Sequence, residues 1–574
     1  MDILKKEKLK RLLRYGLVLA IVCCCVLLLP QARNLIIEIG EKILGRGLSH
    51  DFWMKRIIMY SLYAMCCFSI FLLSIIINID IVFSIKHIKK IFIFASIGIV
   101  IMSVIVRIIM YIKCRSLWLD EAMLAESITS RNLFELLKPP LINMQSAPVL
   151  YVIAIKFICS ILGYSEFSLR LFSLLTFLGL LICEMILLKK AFNFDRFRIA
   201  FVVSMTALLP SYIWYSNEFK PYMGDAFFIV LIILLYFYYT QEKIRLSTLT
   251  FLYILILGFS SPAIFFIGGI LFSESFIAIF NKNKKRFLNI VISGTSVLVV
   301  FCLYYYWWMQ PVSEAMRSYW GIPHVKEILQ IFDAGVGNSD SSIVIFFVPF
   351  AFLGIISFLK LKNKIVFSVV LSLLLTFFAS FTGNWPLLAR LWLFLPAIFL
   401  IFTPIGLDFI YDKIKSKTTK NTLFFLFSAI IIYSTVNCFE YIGYKMYFPQ
   451  QEIKPLIYYV QENINEDEKL YVYQMAKYTF DFINDYKTAK NKNIAKDKII
   501  YGKNRDEWNE SAVENELLSI LENKKTYLIF QQYGGEIERG LSVLQNYGNL
   551  TKVMDVYNTP LYYFELNESK DKEY

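Results

Sequence analysis

The chain has 574 residues, of which 57% are hydrophobic, 17% aromatic and 18% charged. Soluble domains carry about a quarter charged residues, so the composition excludes an ordinary soluble protein and points to a helical, polytopic membrane protein. The net charge of +14 divides into +19 for residues 1–439 and −5 for 440–574, and a basic membrane part joined to an acidic tail argues against nucleic-acid binding.

The N-terminus sets Lys5, Lys6, Lys8, Lys10, Arg11 and Arg14 before an apolar run ending at Pro30. No clear small-residue cleavage site follows and further apolar runs do, so the segment reads as an uncleaved first helix. Runs of suitable length predict spans at roughly 13–30, 56–78, 91–112, 167–188, 199–215, 222–240, 247–259, 262–280, 288–308, 341–359, 365–381, 391–408 and 422–438, about 13 in all. Around Ser260-Ser261-Pro262, two short spans or one broken one are both compatible with the pattern.

Basic residues collect on alternate loops: the N-terminus, Lys86/Lys89/Lys90, Lys189/Lys190/Arg196/Arg198, Lys243/Arg245, Lys282/Lys284/Lys285/Arg286, Lys360/Lys362/Lys364 and Lys413/Lys415/Lys417/Lys420. The positive-inside rule makes that side cytoplasmic. Loops 113–166 and 309–340 and the tail from about 440 are then expected outside the membrane. Within the first of these, Pro148 to Leu162 is apolar but short for a span and contains Lys156, so it reads as an amphipathic helix lying at the outer surface.

The tail changes period. Lys469 to Tyr473 and Thr526 to Phe530 predict buried strands, 513–523 and 537–546 helices, and 552–557 with 561–566 a hairpin across Asn558-Thr559-Pro560. Residues 487–498 read as a solvated loop. The expected organisation is a two-helix extension over 1–90, a membrane domain over 91–439 that includes the outer loop 113–166, and a soluble extracytoplasmic α/β domain over 440–574. The 10 cysteines lie mostly in apolar runs without a CxxC pair, and His50, His87 and His324 are too scattered for a zinc site.

Three groups could carry chemistry. Asp120-Glu121 stands just after a membrane helix, where adjacent carboxylates are costly unless solvated, paired or used. A solvated helix start with acids in its first turn is one reading; a general base at a partly dry membrane edge is the other. The second group, Tyr215-Ser216-Asn217-Glu218-Phe219-Lys220-Pro221-Tyr222, packs an acid, a base and two further tyrosines into a tight loop on the same side. The bland account is interfacial aromatics with a snorkelling lysine. The third is basic: Arg390, with Arg107, Lys113 and Arg115, goes against the charge bias and suits an anionic headgroup such as phosphate, though each could simply snorkel. Tyr304 to Trp308 reads as an aromatic belt rather than a sugar platform, and Glu184, Asp225 and Glu274 as helix–helix polar contacts.

Four motifs in order, LWLDEA (117–122), APVLYVIAIKFICSILGYSEFSLRLFSLL (147–175), YSNEFKPY (215–222) and ARLWLFLPAIFL (389–400), resemble the GT-C glycosyltransferases. More narrowly, they are similar to the bacterial branch related to dolichyl-phosphate-mannose protein mannosyltransferases and lipid A aminoarabinose transferases. The resemblance covers roughly residues 90–440 and implies an all-α polytopic membrane enzyme of GT-C type with an α/β tail. Such an enzyme moves a sugar, with inversion, from a polyprenyl-phosphate donor to a glycan, lipid or protein acceptor at the outer face. It implies Asp120 as base; Glu121 stands beside it in the catalytic pair, with its role open between orienting Asp120, sharing a metal and capping the following helix. Arg115, Glu218, Lys220, Tyr222 and Arg390 are the expected substrate-binding residues. No metal ligand set is implied, although Glu121 and Glu218 could share a divalent ion. The sequence departs from the pattern at Ser146-Ala147-Pro148, where many relatives have His-Pro-Pro, at Ala122-Met123-Leu124, where the aminoarabinose branch has an arginine, and at Lys220, where arginine is usual.

The competing readings are a transporter or flippase of a lipid-linked glycan, a membrane scaffold, and a polymerase or ligase using a pyrophosphate donor. A transporter needs sites near the membrane midplane, whereas the charged groups here sit at the outer mouths. A ligase would need a large outer loop rich in arginine and histidine, and of these loop 309–340 offers only Arg317 and His324.

Overall fold

The computed structural model describes residues 85–314, 343–360, 363–413, 451–486, 493–503, 510–531, 535–556 and 559–567. The predicted spans 13–30, 56–78 and 422–438, and most of loop 309–340, lie outside the described residues.

The described membrane part is helical. Helix α1 (Ile85–Lys113) leads to the site; α2 (Leu119–Ser130), α3 (Leu133–Leu136) and α4 (Val149–Leu162) make up the loop after it. The bundle continues through α5 (Glu166–Lys190), α6 (Arg196–Leu208), α7 (Pro210–Tyr215), α8 (Tyr222–Thr240), α9 (Leu246–Leu257), α10 (Ala263–Phe280) and α11 (Lys284–Tyr304). It closes with α12 (Ile343–Lys360), α13 (Lys364–Phe381) and α14 (Phe394–Lys413). Among the described residues, 7 helices are long and apolar enough to cross a membrane. The chain is therefore a multi-pass membrane protein. On α1, Ile91, Phe94, Ile101 and Ile112 are more than half exposed, as a lipid-facing stripe requires. On α14, by contrast, every residue from Phe394 to Pro404 is buried, which marks it as the central helix.

Two predicted spans are corrected. The run 199–215 is not one helix: it breaks at Leu209–Pro210 into α6 and α7, because Pro210 has no N–H to continue the ladder. The carbonyl of Ala207, beside the break, accepts bonds from Ser103 Oγ at 2.7 Å and Arg107 NH2 at 3.1 Å. Arg107 is thus a fully buried packing residue, stacked 3.6 Å from the Phe177 ring centroid, and not part of a cationic headgroup site. The pair around Ser260-Ser261-Pro262 resolves into two helices, of which α9 has only 12 residues. That is about 18 Å, well short of a hydrocarbon core of about 30 Å. Gly258, at this turn, is needed for close approach: a Cβ there would stand 2.5 Å from Leu150 Cγ of α4.

The tail gives α15 (Lys454–Asn463), β1 (Lys469–Val472), α16 (Gln474–Tyr486), β2 (Ile499–Tyr501), α17 (Glu510–Leu518), β3 (Lys525–Ile529), α18 (Gly535–Leu544), β4 (Gly548–Asp555) and β5 (Pro560–Leu566). The sheet order is β2-β1-β3-β5-β4. Strand β1 pairs in parallel with both β2 and β3, while β5 pairs antiparallel with β3 and β4. Strand β2 and helices α15 and α16 add to the expected pattern. One continuous core runs through both parts: Leu117, Leu124, Ile128 and Ile155 of the loop belong to the same buried cluster as Leu456, Leu470, Phe480 and Leu528 of the tail.

Candidate active site

Asp120 lies in the first turn of α2. The Glu121 carboxylate reaches back to accept the Trp118 N–H at 3.2 Å, a capping interaction that fixes the start of the helix. At its other end Lys156 of α4 donates to the Ile128 carbonyl at 2.6 Å and the Arg131 carbonyl at 2.7 Å. These are C-terminal carbonyls that the helix itself leaves unpaired. Lys156, placed by the sequence on a surface helix, therefore caps the helix that bears Asp120.

Arg390 comes from a short 3-10 turn, Ala389–Trp392, ahead of α14. Tyr212 of α7 fixes that turn. Its hydroxyl donates to the Leu393 carbonyl at 2.6 Å and accepts the Ala397 N–H at 3.2 Å. Trp392 is buried against Phe377, with ring centroids 4.6 Å apart. So held, Arg390 NH1 stands 3.6 Å from Asp120 Oδ2, and the two side chains are 28–29% exposed, open enough to meet a substrate. The Arg390 guanidinium also lies 5.9 Å from the Tyr222 ring centroid, and Tyr222 meets Tyr215 edge-on at 5.4 Å.

Lys220 sits in the tight turn 216–221, whose Glu218 and Lys220 carbonyls both accept from Ser173 Oγ, at 2.7 and 3.2 Å. Its ammonium donates to Gln145 Oε1 at 2.7 Å. Burial lowers the Lys220 pKa, and the charges of Asp120 and Glu218 oppose that effect.

The remaining predicted residues form a buried layer behind this mouth. Glu121 is fully buried. Its carboxylate takes Arg170 Nε at 2.9 Å and NH2 at 2.7 Å, Arg115 NH1 at 3.0 Å and the Phe219 N–H at 2.6 Å. Burial opposes its charge, but Arg115 and Arg170 outweigh burial and hold the carboxyl at about 2. With its oxygens occupied in this way, Glu121 is an internal counter-ion rather than a group open to substrate.

Arg115 is likewise engaged: it reaches Glu121, lies 3.9 Å from Glu218 Oε2 and stacks 4.7 Å from the Trp214 ring. Glu218 is pushed up to about 7, first by burial and then by the charge of Glu121. Its Oε1 has no hydrogen-bond donor among the described residues. A divalent ion shared by Glu121 and Glu218 does not fit this layer, because the Arg115 guanidinium already stands between the two carboxylates. Among the described residues no cluster of three or more His, Cys, Asp or Glu gathers elsewhere.

Several residues that matter here were not singled out by the sequence. Arg170 and Gln145 lie inside or beside a recognised motif, but only the fold shows that they grip Glu121 and Lys220. Tyr304 and Trp308 do not act as belt residues. Trp308 Nε1 donates to the Ala147 carbonyl at 2.8 Å and the Tyr304 hydroxyl accepts the Val149 N–H at 3.4 Å, pinning the start of α4. Glu184 and Glu274 make helix–helix contacts as expected, meeting Thr206 at 2.9 Å and Tyr236 at 2.7 Å, whereas Asp225 of α8 accepts from Ser260 at 2.7 Å in the turn between α9 and α10.

No protein-family profile matches the chain, and no curated protein matches it. Among solved structures it is similar to ArnT from Cupriavidus metallidurans bound to undecaprenyl phosphate, at 11% identity and a TM-score of 0.46, covering 84% of this chain and 98% of that one. It is also similar to the Archaeoglobus fulgidus oligosaccharyltransferase in complex with zinc and sulfate, at 10% identity and a TM-score of 0.46, covering 81% of this chain and 72% of that one. Identities this low leave the function of the present chain to the chemistry of its own site.

Proposed function

We propose that the protein is a membrane glycosyltransferase that moves a sugar from a polyprenyl-phosphate donor to an acceptor hydroxyl, with Asp120 as general base. The observation that carries this reading is the Asp120–Arg390 pair at 3.6 Å. It sets a carboxylate and a phosphate-binding cation side by side at one mouth of the bundle, in reach of solvent.

In the proposed step Asp120 takes the acceptor's proton as the oxygen attacks the anomeric carbon. The bond from that carbon to the phosphate oxygen breaks with inversion, and the electron pair leaves on the polyprenyl phosphate. The leaving group gains negative charge, which Arg390, with Lys220 behind it, would stabilise. Tyr222 is buried beneath Arg390 and fixes the guanidinium, so it acts on the substrate through Arg390 rather than by touching the sugar. Glu121, Arg115 and Glu218 act as positioning residues. Supporting the outward placement, the opposite end of the bundle carries the basic loops around Lys189, Arg196, Lys243 and Lys285, as the cytoplasmic side should. The acceptor is then a glycan, lipid or protein outside the membrane.

The test is transfer from radiolabelled polyprenyl-phosphate sugars by the detergent-solubilised protein. Asp120→Asn is expected to lower turnover by about 10²–10⁴-fold, while thermal unfolding stays that of the wild type. Wild-type turnover in Asp120→Asn sinks the assignment. A transporter, the rival reading, would release no sugar in detergent, where no second compartment exists.

A further inference from the structure

The α/β tail has a parallel β2-β1-β3 half, with β1 flanked by β2 on one side and β3 on the other. In such sheets the chain leaves adjacent strands in opposite directions, and the crevice beyond their C-terminal ends is where ligands bind. Here a segment of the same chain is held from that end. Thr479, on the helix that follows β1, donates to the Leu117 carbonyl at 3.0 Å. Gln531, just past β3, donates through Nε2 to Gln451 Oε1 at 3.0 Å, and the same oxygen accepts the Leu119 N–H at 3.1 Å.

The contacts continue along the segment that ends at Asp120. Glu452 accepts the Ser116 N–H at 2.9 Å and the Ser116 hydroxyl at 2.6 Å. The Lys454 N–H donates to Ser116 Oγ at 3.0 Å. The Lys454 ammonium donates to the Cys114 carbonyl and pairs with the buried Glu166 at 2.8 Å, at the start of α5. Glu452 is itself tied to the sheet, since Thr559 Oγ1 donates to its carbonyl at 3.1 Å. Cys114, Ser116, Leu117 and Leu119 are thus each held by a tail residue within the six residues before Asp120. Cys114 has a φ of +49°, an uncommon conformation for a non-glycine residue that needs such support.

We propose that the α/β tail is a clamp that positions Asp120: its residues 451–454, with Thr479 on α16, hold the segment 114–119 as an internal ligand, with Gln451, Glu452 and Lys454 as positioning residues. None of the three touches the reacting groups. They act by fixing the N-terminus of α2, where a shift of about 1 Å would misplace the base. The catalytic half of this inference rests on the transferase reading above; the clamp itself does not.

The experiment is amide hydrogen exchange on the full-length protein in detergent, paired with steady-state transfer kinetics. Glu452→Ala is expected to raise exchange at Ser116 and Leu119 at least tenfold while helices α8 and α14 exchange as in the wild type. It should lower kcat at least tenfold with the donor KM within twofold. Glu452→Gln, which keeps one acceptor oxygen, should fall between the two. Ser116→Ala provides the same reading from the other side, and with Glu452→Ala it should give less than additive effects. Unchanged exchange in Glu452→Ala overturns the clamp. Raised exchange with unchanged kcat overturns the positioning role. A wild type inactive on every polyprenyl-phosphate donor defeats the transferase reading and leaves the clamp to be judged by exchange alone.

Discussion

Arg170 grips Glu121 with two bonds, Nε to Oε1 at 2.9 Å and NH2 to Oε2 at 2.7 Å, and both residues are buried. The pair joins three pieces of chain: α2 through Glu121, α5 through Arg170, and the turn 216–221 through the Phe219 N–H bonded to the same carboxylate. A buried charge pair of this kind contributes little net stability as a pair, but removing one member strands the other in a dry site.

Glu121→Gln should therefore destabilise the protein by about 3–5 kcal/mol, because Arg170 and Arg115 lose their counter-ion together. Thermal unfolding in detergent measures this. Glu121→Gln combined with Arg170→Gln should cost less than the sum of the single variants, since each then removes a charge that the other has already stranded. Additive losses would show that the two side chains do not depend on each other.

Glu218 and Glu121 respond to pH in opposite senses. Glu218 is raised from 4.5 to about 7, so its contribution to stability is fully present below pH 4.5 and is lost as pH rises through 7. Glu121 is lowered from 4.5 to about 2, so its contribution is present above 4.5 and lost only as pH falls towards 2. Of the two, Glu218 is the one that titrates near neutrality. Glu218→Gln should lessen the fall in melting temperature between about pH 5 and pH 7.5, read by unfolding scans at a series of pH values. A slope identical to the wild type would assign the titration to another group.

Arg390 bears on the donor. Arg390→Ala should raise the donor KM ten- to a hundredfold, the loss of about 1.5–3 kcal/mol for a hydrogen bond to a charged group. Arg390→Lys should recover only part of it, because a point charge replaces the planar fork. Initial-rate kinetics with the lipid-linked donor decide this. An unchanged KM in both variants would remove Arg390 from the donor site.

Lys156 bears on α2 from its far end. Lys156→Met keeps the apolar stem and removes the two bonds to the Ile128 and Arg131 carbonyls. The expected cost is about 1–3 kcal/mol, seen as faster amide exchange over residues 119–131 and a lower kcat at unchanged donor KM. If exchange over α2 does not change, the cap is not what holds the helix.

Much of the architecture is legible in the sequence because it is written in local composition. A bilayer demands long apolar runs with internally bonded backbones, so most helices of the bundle announce themselves by length alone. The parallel strands Lys469–Val472 and Lys525–Ile529 and the hairpin after them show in β-branched and aromatic periodicity. The break at Pro210 was also present in the residues, but an unbroken apolar run hides it, since hydropathy does not register a missing N–H.

Roles within the site were less accessible. Asp120 and Glu121 are neighbours, and nothing local separates an open carboxylate from a buried one; successive helix positions lie about 100° apart, and only packing decides which side faces the core. Arg115 and Arg107 are chemically the same as Arg390, yet one is bonded to Glu121, one to a carbonyl beside a broken helix, and one stands at the mouth beside Asp120. The sequence by itself determined a multi-pass helical protein with an α/β tail and an Asp-Glu pair just after a membrane helix. Tertiary structure alone decided which acid is free, which arginine meets it and which tail residues hold its loop, because those contacts join positions between about 50 and 340 residues apart and burial, not residue type, assigns them their work.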